Sequence, residues 1–186
     1  MINIDNITFS YGEKKVFENF SLNIKKGKNI CLFGASGCGK STLLRLILGL
    51  ETAQKGKISF KENLRFSVVF QEDRLLPFLN IKENIEIVGG NSQVAKGILK
   101  EFNMLNSVNE LPKNLSGGMK RRAAITRALS TDFDVLILDE PFTGLDSENI
   151  KKAAKEILKL SKDKTIILVT HSLEEANLLN AKIVEI

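Results

Sequence analysis

The chain has 186 residues, 43% of them hydrophobic and 26% charged, which is typical of a single soluble globular domain with a sizeable core. Its uninterrupted apolar runs are too short to span a bilayer, and its first residues lack the charged and apolar regions of a signal peptide, so we expect a cytosolic protein. The net charge of +5 is the balance of 27 Lys and Arg against 22 Asp and Glu residues. The basic residues are spread along the chain and are not interleaved with aromatic residues on any one element, so we expect no nucleic acid partner.

The N-terminal part of the chain has the pattern of short strands. Residues 2–9 alternate apolar and polar side chains, which is typical of a half-exposed antiparallel strand. Residues 29–33 form an apolar run that predicts a buried strand, and residues 43–48 have the spacing of a helix that packs on a sheet. Further strands are predicted at residues 20–24, 57–60 and 65–70.

A glycine-rich stretch between the buried strand and the helix has the pattern of a phosphate-binding loop. It consists of Gly34, Ala35, Ser36, Gly37, Cys38, Gly39, Lys40, Ser41 and Thr42, which fits G-x-x-x-x-G-K-[ST]. Glycines let the backbone approach phosphate oxygens with its N–H groups pointing inward, and the helix adds its positive dipole end. We expect Lys40 to reach the β- and γ-phosphates and the Ser41 hydroxyl to coordinate Mg²⁺. The chain is therefore predicted to bind a nucleoside triphosphate.

Both cysteines of the sequence, Cys31 and Cys38, lie in or beside this loop. In the cytosol we expect them to be reduced, and neither belongs to a metal-ligand cluster because the sequence has one histidine and no further cysteine. Cys38 lies within the loop itself, so its alkylation is expected to compete with nucleotide binding.

After residue 70 the hydrophobic period changes from that of strands to that of helices. Apolar runs rich in Leu and β-branched residues return at residues 135–138 and 165–169, which predicts parallel strands that are buried on both faces. The helices are predicted at residues 81–88, 94–102, 118–129, 148–160 and 173–179, and the last strand at residues 181–186. We divide the single domain, residues 1–186, into a nucleotide-binding core at residues 1–70 and 131–186 and a helical subdomain at residues 71–130.

Polar residues follow three of the predicted strands: Asp139 and Glu140 come after one, His171 after another and Gln71 after a third. In an open α/β sheet the carboxyl ends of the strands are where ligands bind. We expect Asp139 to hold Mg²⁺ and Glu140 to polarise the attacking water. Gln71 is expected to contact Mg²⁺ or that water, and His171 to hydrogen-bond the γ-phosphate; a purely structural His171 is the alternative.

Ser116, Gly117 and Gly118 form a second candidate for anion binding at the start of a predicted helix. A hydroxyl and free N–H groups beside a positive dipole end suit an anion, although a plain helix cap is the alternative. Because the first loop already satisfies one nucleotide, the second cradle would serve the nucleotide of another copy across a two-fold interface.

Taken in order, these motifs resemble those of the ATP-binding subunits of ABC transporters, over almost the whole chain. The matching segments are Gly34–Thr42 for Walker A, Gln71 for the Q-loop, Leu115–Met119 for the signature motif, Val135–Glu140 for Walker B, Gly144–Asp146 for the D-loop and His171 for the H-loop. Tyr11 stands where the family stacks an aromatic side chain on adenine.

The resemblance implies an α/β fold, the P-loop NTPase fold of the ABC ATPase type, with a mixed sheet core, an antiparallel β edge and a helical subdomain insertion. It also implies ATP and Mg²⁺ as cofactors and a head-to-tail dimer of two copies with ATP sandwiched at the interface. Each ATP would contact Gly34–Thr42 of one copy and residues 116–118 of the other, together with Asp146. Glu140 would be the general base.

Residues 71–80 resemble the segment that follows the Q-loop in importers of nitrate, sulfonates and taurine. The resemblance implies an ATPase that powers import of a small anionic solute, together with a membrane-embedded permease subunit and a solute-binding protein. The protein would then lie on the inner face of the cell membrane. Leu75, Leu76 and Phe78 would line a groove for a permease helix; the alternative is that they fold back on the helical insertion.

Two features depart from the family pattern, and one rival function is open. Met119 replaces the usual Gln of the signature, so any contact of that amide is lost. The sequence ends at Ile186, so we expect no regulation through a C-terminal extension.

The rival is a soluble ABC ATPase that is not coupled to transport, but the sequence lacks the long coiled coil of the repair type and the second cassette of the translation type. It also lacks the Asn-Lys-x-Asp motif of GTPases and the arginine-rich lid of P-loop kinases.

Overall fold

The residues described by the computed structural model, 1–61 and 63–186, form two β-sheets. Residue 62, which falls within the predicted core segment 1–70, lies outside the described residues. The antiparallel sheet has the order β2-β1-β4 and consists of β1 (Ile2–Tyr11), β2 (Lys14–Ile24) and β4 (Lys55–Phe60). The parallel sheet has the order β5-β6-β7-β3-β8 and consists of β3 (Asn29–Phe33), β5 (Phe66–Val69), β6 (Val135–Asp139), β7 (Thr165–Val169) and β8 (Lys182–Glu185).

The separation of the two sheets refines the predicted architecture. The α/β class is confirmed, but the antiparallel strands form a sheet of their own instead of an edge of a mixed sheet. The two kinds of strand differ in burial. Strands β6 and β7 are buried along their whole length and so need cover on both faces, whereas β1 alternates buried and partly exposed residues and so has one inner face. The inner face of β1, with Ile2 and Ile4, shares an apolar cluster with Leu43 and with Ile137 of the parallel sheet. The two sheets therefore stack around one core.

Helices cover the parallel sheet and form the insertion. The helices are α1 (Lys40–Ile47), α2 (Ile81–Glu86), α3 (Ser92–Glu101), α4 (Gly117–Leu129), α5 (Ser147–Leu160) and α6 (Leu173–Leu178), with short 3₁₀ turns at Leu105–Ser107 and Pro112–Asn114. Helices α2, α3 and α4 lie between β5 and β6 in the chain, although these strands are neighbours in the sheet. Helix α4 packs on α2 and α3 and also on β5, so it joins the insertion to the sheet. Within the described ranges no helix has both the length and the apolar character that crossing a membrane requires.

The register of the parallel sheet brings three strand ends to one level. Leu32 of β3 and Asp139 of β6 both pair with Val169 of β7. The chain therefore leaves these three strands at the same edge of the sheet, where the phosphate-loop motif, Glu140 and His171 follow.

Asn84 of α2 fixes the loop that precedes its own helix. Its side chain is only 1% exposed, and its oxygen accepts a hydrogen bond from the N–H of Leu76 at 2.7 Å. Its Nδ2 donates to the carbonyls of Leu76, Leu79 and Asn80 at 3.1, 2.7 and 3.0 Å. One buried amide therefore satisfies several backbone groups of residues 76–80.

We predict that Asn84→Ala lowers the free energy of unfolding by about 1–3 kcal/mol, because backbone groups of the loop lose their buried partner. Urea denaturation monitored by circular dichroism measures this change. Asn109→Ala, at an exposed asparagine of the same insertion, is the control and should change stability by less than about 0.5 kcal/mol. Equal stability of the two variants would show that Asn84 does not fix the loop.

Candidate functional site

The glycine-rich loop connects β3 to α1 at the edge of the parallel sheet where β3, β6 and β7 end. Gly39 is the residue before α1 and has a φ of 111°, a backbone angle that residues other than glycine rarely adopt. A Cβ atom at this position would lie 2.7 Å from Val16 Cγ1 and 2.9 Å from Phe17 Cζ, so only glycine fits. Because glycine offers no side chain to cap the helix, the first N–H groups of α1 remain available to an anion.

Lys40 is the buried cation of the loop, with 6% of its surface exposed. Its ammonium group donates hydrogen bonds to the carbonyls of Gly34 at 2.8 Å and Ala35 at 2.9 Å. The side chain therefore folds back over the loop, and its charge lies beside the N–H groups at the start of α1. Such a site attracts a polyanion.

The cleft above this loop brings together most of the residues that the sequence singled out. They are Tyr11, Ser36, Gly37, Gly39, Lys40, Ser41, Thr42, Gln71, Asp139, Glu140 and His171, and Lys14 and Val16 of β2 line the cleft with them. Lys14 and Val16 were not predicted from the sequence, because nothing in the alternating pattern of β2 distinguishes them from their neighbours. Gly34 and Ala35 contribute through the carbonyl groups that Lys40 contacts.

Asp139 ends β6 with a buried carboxylate that is 8% exposed. Burial raises its pKa, whereas a hydrogen bond from Ser41 and the charges of Arg121 and Lys40 act in the opposite direction. Its Oδ1 atom has no hydrogen-bond partner among the described residues. A buried carboxylate oxygen without a partner, beside a serine hydroxyl, has the chemistry that Mg²⁺ prefers. No cluster of three or more His, Cys, Asp or Glu residues that could hold a metal ion is present in the described ranges.

Glu140 and His171 face each other across the cleft. His171 Nε2 lies 3.3 Å from Glu140 Oε1, but no hydrogen bond forms, and this oxygen is buried without a partner in the part of the chain that the structure describes. Burial raises the pKa of Glu140; His171 opposes that shift, and the nearby carboxylates of Glu175 and Asp139 add to it. The net effect is a raised pKa, so the Glu140 carboxylate takes up a proton more readily than an exposed glutamate does.

The second cradle lies outside this cleft. The hydroxyl of Ser116 accepts a hydrogen bond from the N–H of Met119 at 3.3 Å and so caps α4, and both Ser116 and Gly117 are exposed. A Cβ atom on Gly118 would lie 3.2 Å from the carbonyl oxygen of Gly144, so this cradle adjoins the predicted D-loop. The structure therefore does not bring residues 116–118 to the nucleotide cleft of their own chain.

Asp146 and Cys38 also lie outside the lining of the cleft. Asp146 caps α5 by accepting hydrogen bonds from the N–H and the Nδ2 of Asn149, both at 2.8 Å, and these bonds lower its pKa. Cys38 Sγ lies 3.8 Å from Lys40 Nζ on the loop. Its position beside the loop lysine keeps it next to the cleft.

Arg121 is a residue near the site that the sequence analysis did not single out. It lies in α4 and is 2% exposed, and its guanidinium group donates to backbone carbonyls of the chain segments that follow β5 and β6. In the sequence it stands within the basic run of residues 120–122. Such a run is usually a solvated helix face, so only the buried position distinguishes this residue.

Comparison with known proteins finds a matching family, sequence relatives and structural neighbours for this chain. The sequence profile of the family described as "ABC transporter" matches residues 17–143. The chain is 36% identical over 178 residues to the aliphatic sulfonates import ATP-binding protein SsuB 2 of Burkholderia cenocepacia, covering 89% of this chain and 66% of that protein. It is 37% identical over 195 residues to the Fe(3+) ions import ATP-binding protein FbpC of Fusobacterium nucleatum, covering 94% and 52%. The chain thus spans just under two thirds of the first relative's length and about half of the second's.

Solved structures have the same fold. The dimeric structure of MJ0796, described as a bacterial ABC transporter cassette, has a TM-score of 0.85 and 30% sequence identity, covering 96% of this chain and 91% of that one. A second structure of MJ0796, a dimeric post-hydrolysis state bound to ADP and Pi, has a TM-score of 0.84 and 28% identity over the same shares.

The two cysteines provide a test of nucleotide binding at the loop. Burial raises the pKa of Cys31 to about 11, so this thiol should be inert at neutral pH, whereas Cys38 is partly exposed. We predict that N-ethylmaleimide modifies Cys38 alone, and that ATP at ten times its Kd slows the reaction about tenfold by mass action.

Mass spectrometry of the labelled peptides measures both cysteines in one sample, so Cys31 is the internal control. Labelling of the urea-unfolded protein should modify both residues. An unchanged rate at Cys38 in the presence of ATP would contradict binding at this loop.

Proposed function

The chain belongs to the ABC transporter family, and we propose that it binds and hydrolyses ATP as the energising subunit of a membrane importer. The observation that carries this proposal is the convergence of Lys40, Ser41, Asp139, Glu140 and His171 on one cleft at the edge of the parallel sheet. A cation, a hydroxyl, two carboxylates and an imidazole in one cleft are the groups that phosphoryl transfer to water requires.

Nucleotide binding in this proposal uses the loop and one strand. The Lys40 ammonium leaves the carbonyls of its own loop and contacts the β- and γ-phosphates, while the N–H groups at the start of α1 hold the remaining phosphate oxygens. Tyr11 stacks on the adenine. Its ring is held by an edge-to-face contact with Phe9 at 4.9 Å between centroids, and its hydroxyl donates to Glu51 Oε1 at 3.3 Å.

Hydrolysis in this proposal uses the two carboxylates differently. Ser41 and Asp139 would hold Mg²⁺ with help from Gln71, and the ion would supply positive charge that offsets the charge of the phosphate oxygens. Glu140 accepts a proton from the attacking water, whose oxygen forms the new bond to the γ-phosphorus as the bond to the ADP oxygen breaks. His171 donates a hydrogen bond to a γ-phosphate oxygen. The raised pKa of Glu140 suits a group that must take up this proton.

A second copy of the chain completes the proposed site. Ser116, Gly117 and Gly118 bind the γ-phosphate of the partner's nucleotide, and Asp146 lies beside it. The exposure of Ser116 and Gly117, away from their own cleft, supports this role. The dimeric state of the MJ0796 cassette is a further support.

The permease would dock beside the insertion. Phe78 is 89% exposed and Leu76 is 42% exposed, and Ile87 and Val88 at the end of α2 are 61% and 47% exposed. Leu75, by contrast, packs against the core, so it does not take part in this surface. Leu76, Ile87 and Val88 line one groove, and Phe78 lies two residues beyond Leu76 in the chain. Exposed apolar side chains that lie together are typical of a protein interface. We therefore place the proposed permease contact on Leu76, Phe78 and the end of α2.

The proposed setting is the inner face of the cell membrane, where this subunit binds a permease that works with a solute-binding protein. The proposed solute is a small anion, in line with the sulfonate relative, while the Fe(3+) relative represents the rival solute class.

We predict that Glu140→Gln binds ATP normally but hydrolyses it at least ~100-fold more slowly, because the water loses its general base. A phosphate-release assay and equilibrium ATP binding measure the two quantities. The same variant should accumulate an ATP-bound dimer, which light scattering detects.

Glu174→Gln, at an exposed glutamate of α6, is the matched control and should hydrolyse ATP at the wild-type rate. A Glu140→Gln protein with wild-type turnover would overturn the role of Glu140. One that stays monomeric with ATP at high concentration would contradict the sandwich dimer.

The transport role is tested by purification of the tagged protein from its own cells in mild detergent, with mass spectrometry of its partners. We expect the wild type to recover a polytopic membrane protein encoded beside a solute-binding protein. Phe78→Asp should lose the membrane protein, because it places a charge in the apolar contact.

Leu178→Asp, which alters an exposed leucine of α6, should keep the membrane protein and serves as the control. Recovery of only ribosomal or DNA-repair proteins would overturn transport while leaving the ATPase intact.

A further inference from the structure

Arg121 links two chain segments that leave neighbouring strands of the parallel sheet. Its guanidinium group contacts residues 70–71, which follow β5, and residues 139–141, which run from the last residue of β6 into the loop after it. Nη1 donates to the carbonyls of Phe70 at 2.6 Å and Gln71 at 3.3 Å, Nη2 donates to those of Asp139 at 3.0 Å and Glu140, and Nε donates to that of Pro141 at 2.8 Å.

The planar shape of the guanidinium group makes this arrangement possible. Its donors form a rigid fork, so one side chain satisfies carbonyl groups on both segments at once. Without it each of these buried or part-buried carbonyls would lose a hydrogen-bond donor. Burial lowers the pKa of Arg121, while the carboxylates of Asp73, Asp139 and Glu140 oppose that shift. An arginine nevertheless stays charged at neutral pH, which strengthens each of these bonds.

The backbone of Glu140 depends on such support. Its φ of 48° lies in the left-handed region, which is unfavourable for a residue with a long side chain. Its N–H donates to the carbonyl of Val169 at 2.9 Å, and its own carbonyl accepts from Arg121. A strained conformation of this kind persists only when its surroundings hold it. Together with the N–H of Thr143, which donates to the same carbonyl at 3.3 Å, these bonds hold the backbone from which the Glu140 carboxylate projects.

We propose that Arg121 is a positioning residue, which aims the Glu140 carboxylate at the attacking water by holding the carbonyls of residues 139–141 and tying them to residues 70–71. The proposal rests on the role of Glu140 in ATP hydrolysis that is proposed above. Arg121 itself is 2% exposed, and it acts through the residues whose carbonyls it holds, chiefly Glu140.

Two substitutions test this role. Arg121→Gln shortens the side chain and removes the fork, and Arg121→Lys keeps the charge and the aliphatic stem but has a single nitrogen. We expect each to lower kcat about 10- to 100-fold, the cost of a catalytic group displaced by about 1 Å. The equilibrium Kd for ATP should stay at the wild-type value, because Lys40 and its loop are unaltered.

A double-mutant cycle separates positioning from general damage. In the Glu140→Gln background the carboxylate is already absent, so Arg121→Gln should cause no further loss of the residual rate. A structural defect would instead multiply the two losses. Ile157→Val removes one methyl group from a fully buried residue of α5, which lies in neither segment. It is the control for lowered stability and should keep the wild-type kcat.

Each result has a distinct meaning. A lower kcat with unchanged ATP affinity, lost in the Glu140→Gln background, supports the proposal. Wild-type kcat in both Arg121 variants, or losses that multiply in the double mutant, would overturn it while leaving the proposed ATPase function intact. Wild-type turnover of the Glu140→Gln single variant would instead remove the proposed function itself.

Discussion

The level ends of β3, β6 and β7 are the constraint on which the site depends. Parallel pairing sets Leu32 and Asp139 opposite the same residue, Val169, so the chain leaves three adjacent strands at one height. The N–H groups of the phosphate loop, the carboxylates that end β6 and the imidazole that follows β7 then meet without long connecting loops. A shift of one residue in this register would turn the terminal side chains to the other face of the sheet.

The cleft keeps several polar groups in states that cost stability. Asp139 and Glu140 each have a buried carboxylate oxygen without a hydrogen-bond partner among the described residues, and burial raises both pKa values. Glu140 adds a strained backbone. Such costs are typical of functional sites, where partners arrive with the ligand. The apolar clusters on both sides of the parallel sheet provide the rigid support that this arrangement needs.

Helix α4 connects features that are far apart in the sequence. Its first two residues belong to the second cradle, Arg121 in its second turn reaches the ends of β5 and β6, and Arg127 in its last turn donates to the carbonyls of Asp73 and Arg74. The segment after β5 is thus held by two arginines of one helix. The proposed nucleotide site and the proposed permease surface therefore share a rigid element, since the loop beginning at Gln71 continues to Phe78.

The sequence by itself determined the parts that depend on local patterns. The spacing of glycines and Lys40 predicted a phosphate loop between a strand and a helix, and the apolar runs predicted parallel strands with polar residues at their ends, because these signals need only neighbouring residues. Only the tertiary structure decided that the antiparallel strands form a sheet of their own, that Leu75 turns inward while Phe78 stays exposed, and that Arg121 lies buried in a basic run. Each of these depends on which distant segments pack together, and a basic residue on a buried face has the same sequence signal as one in water.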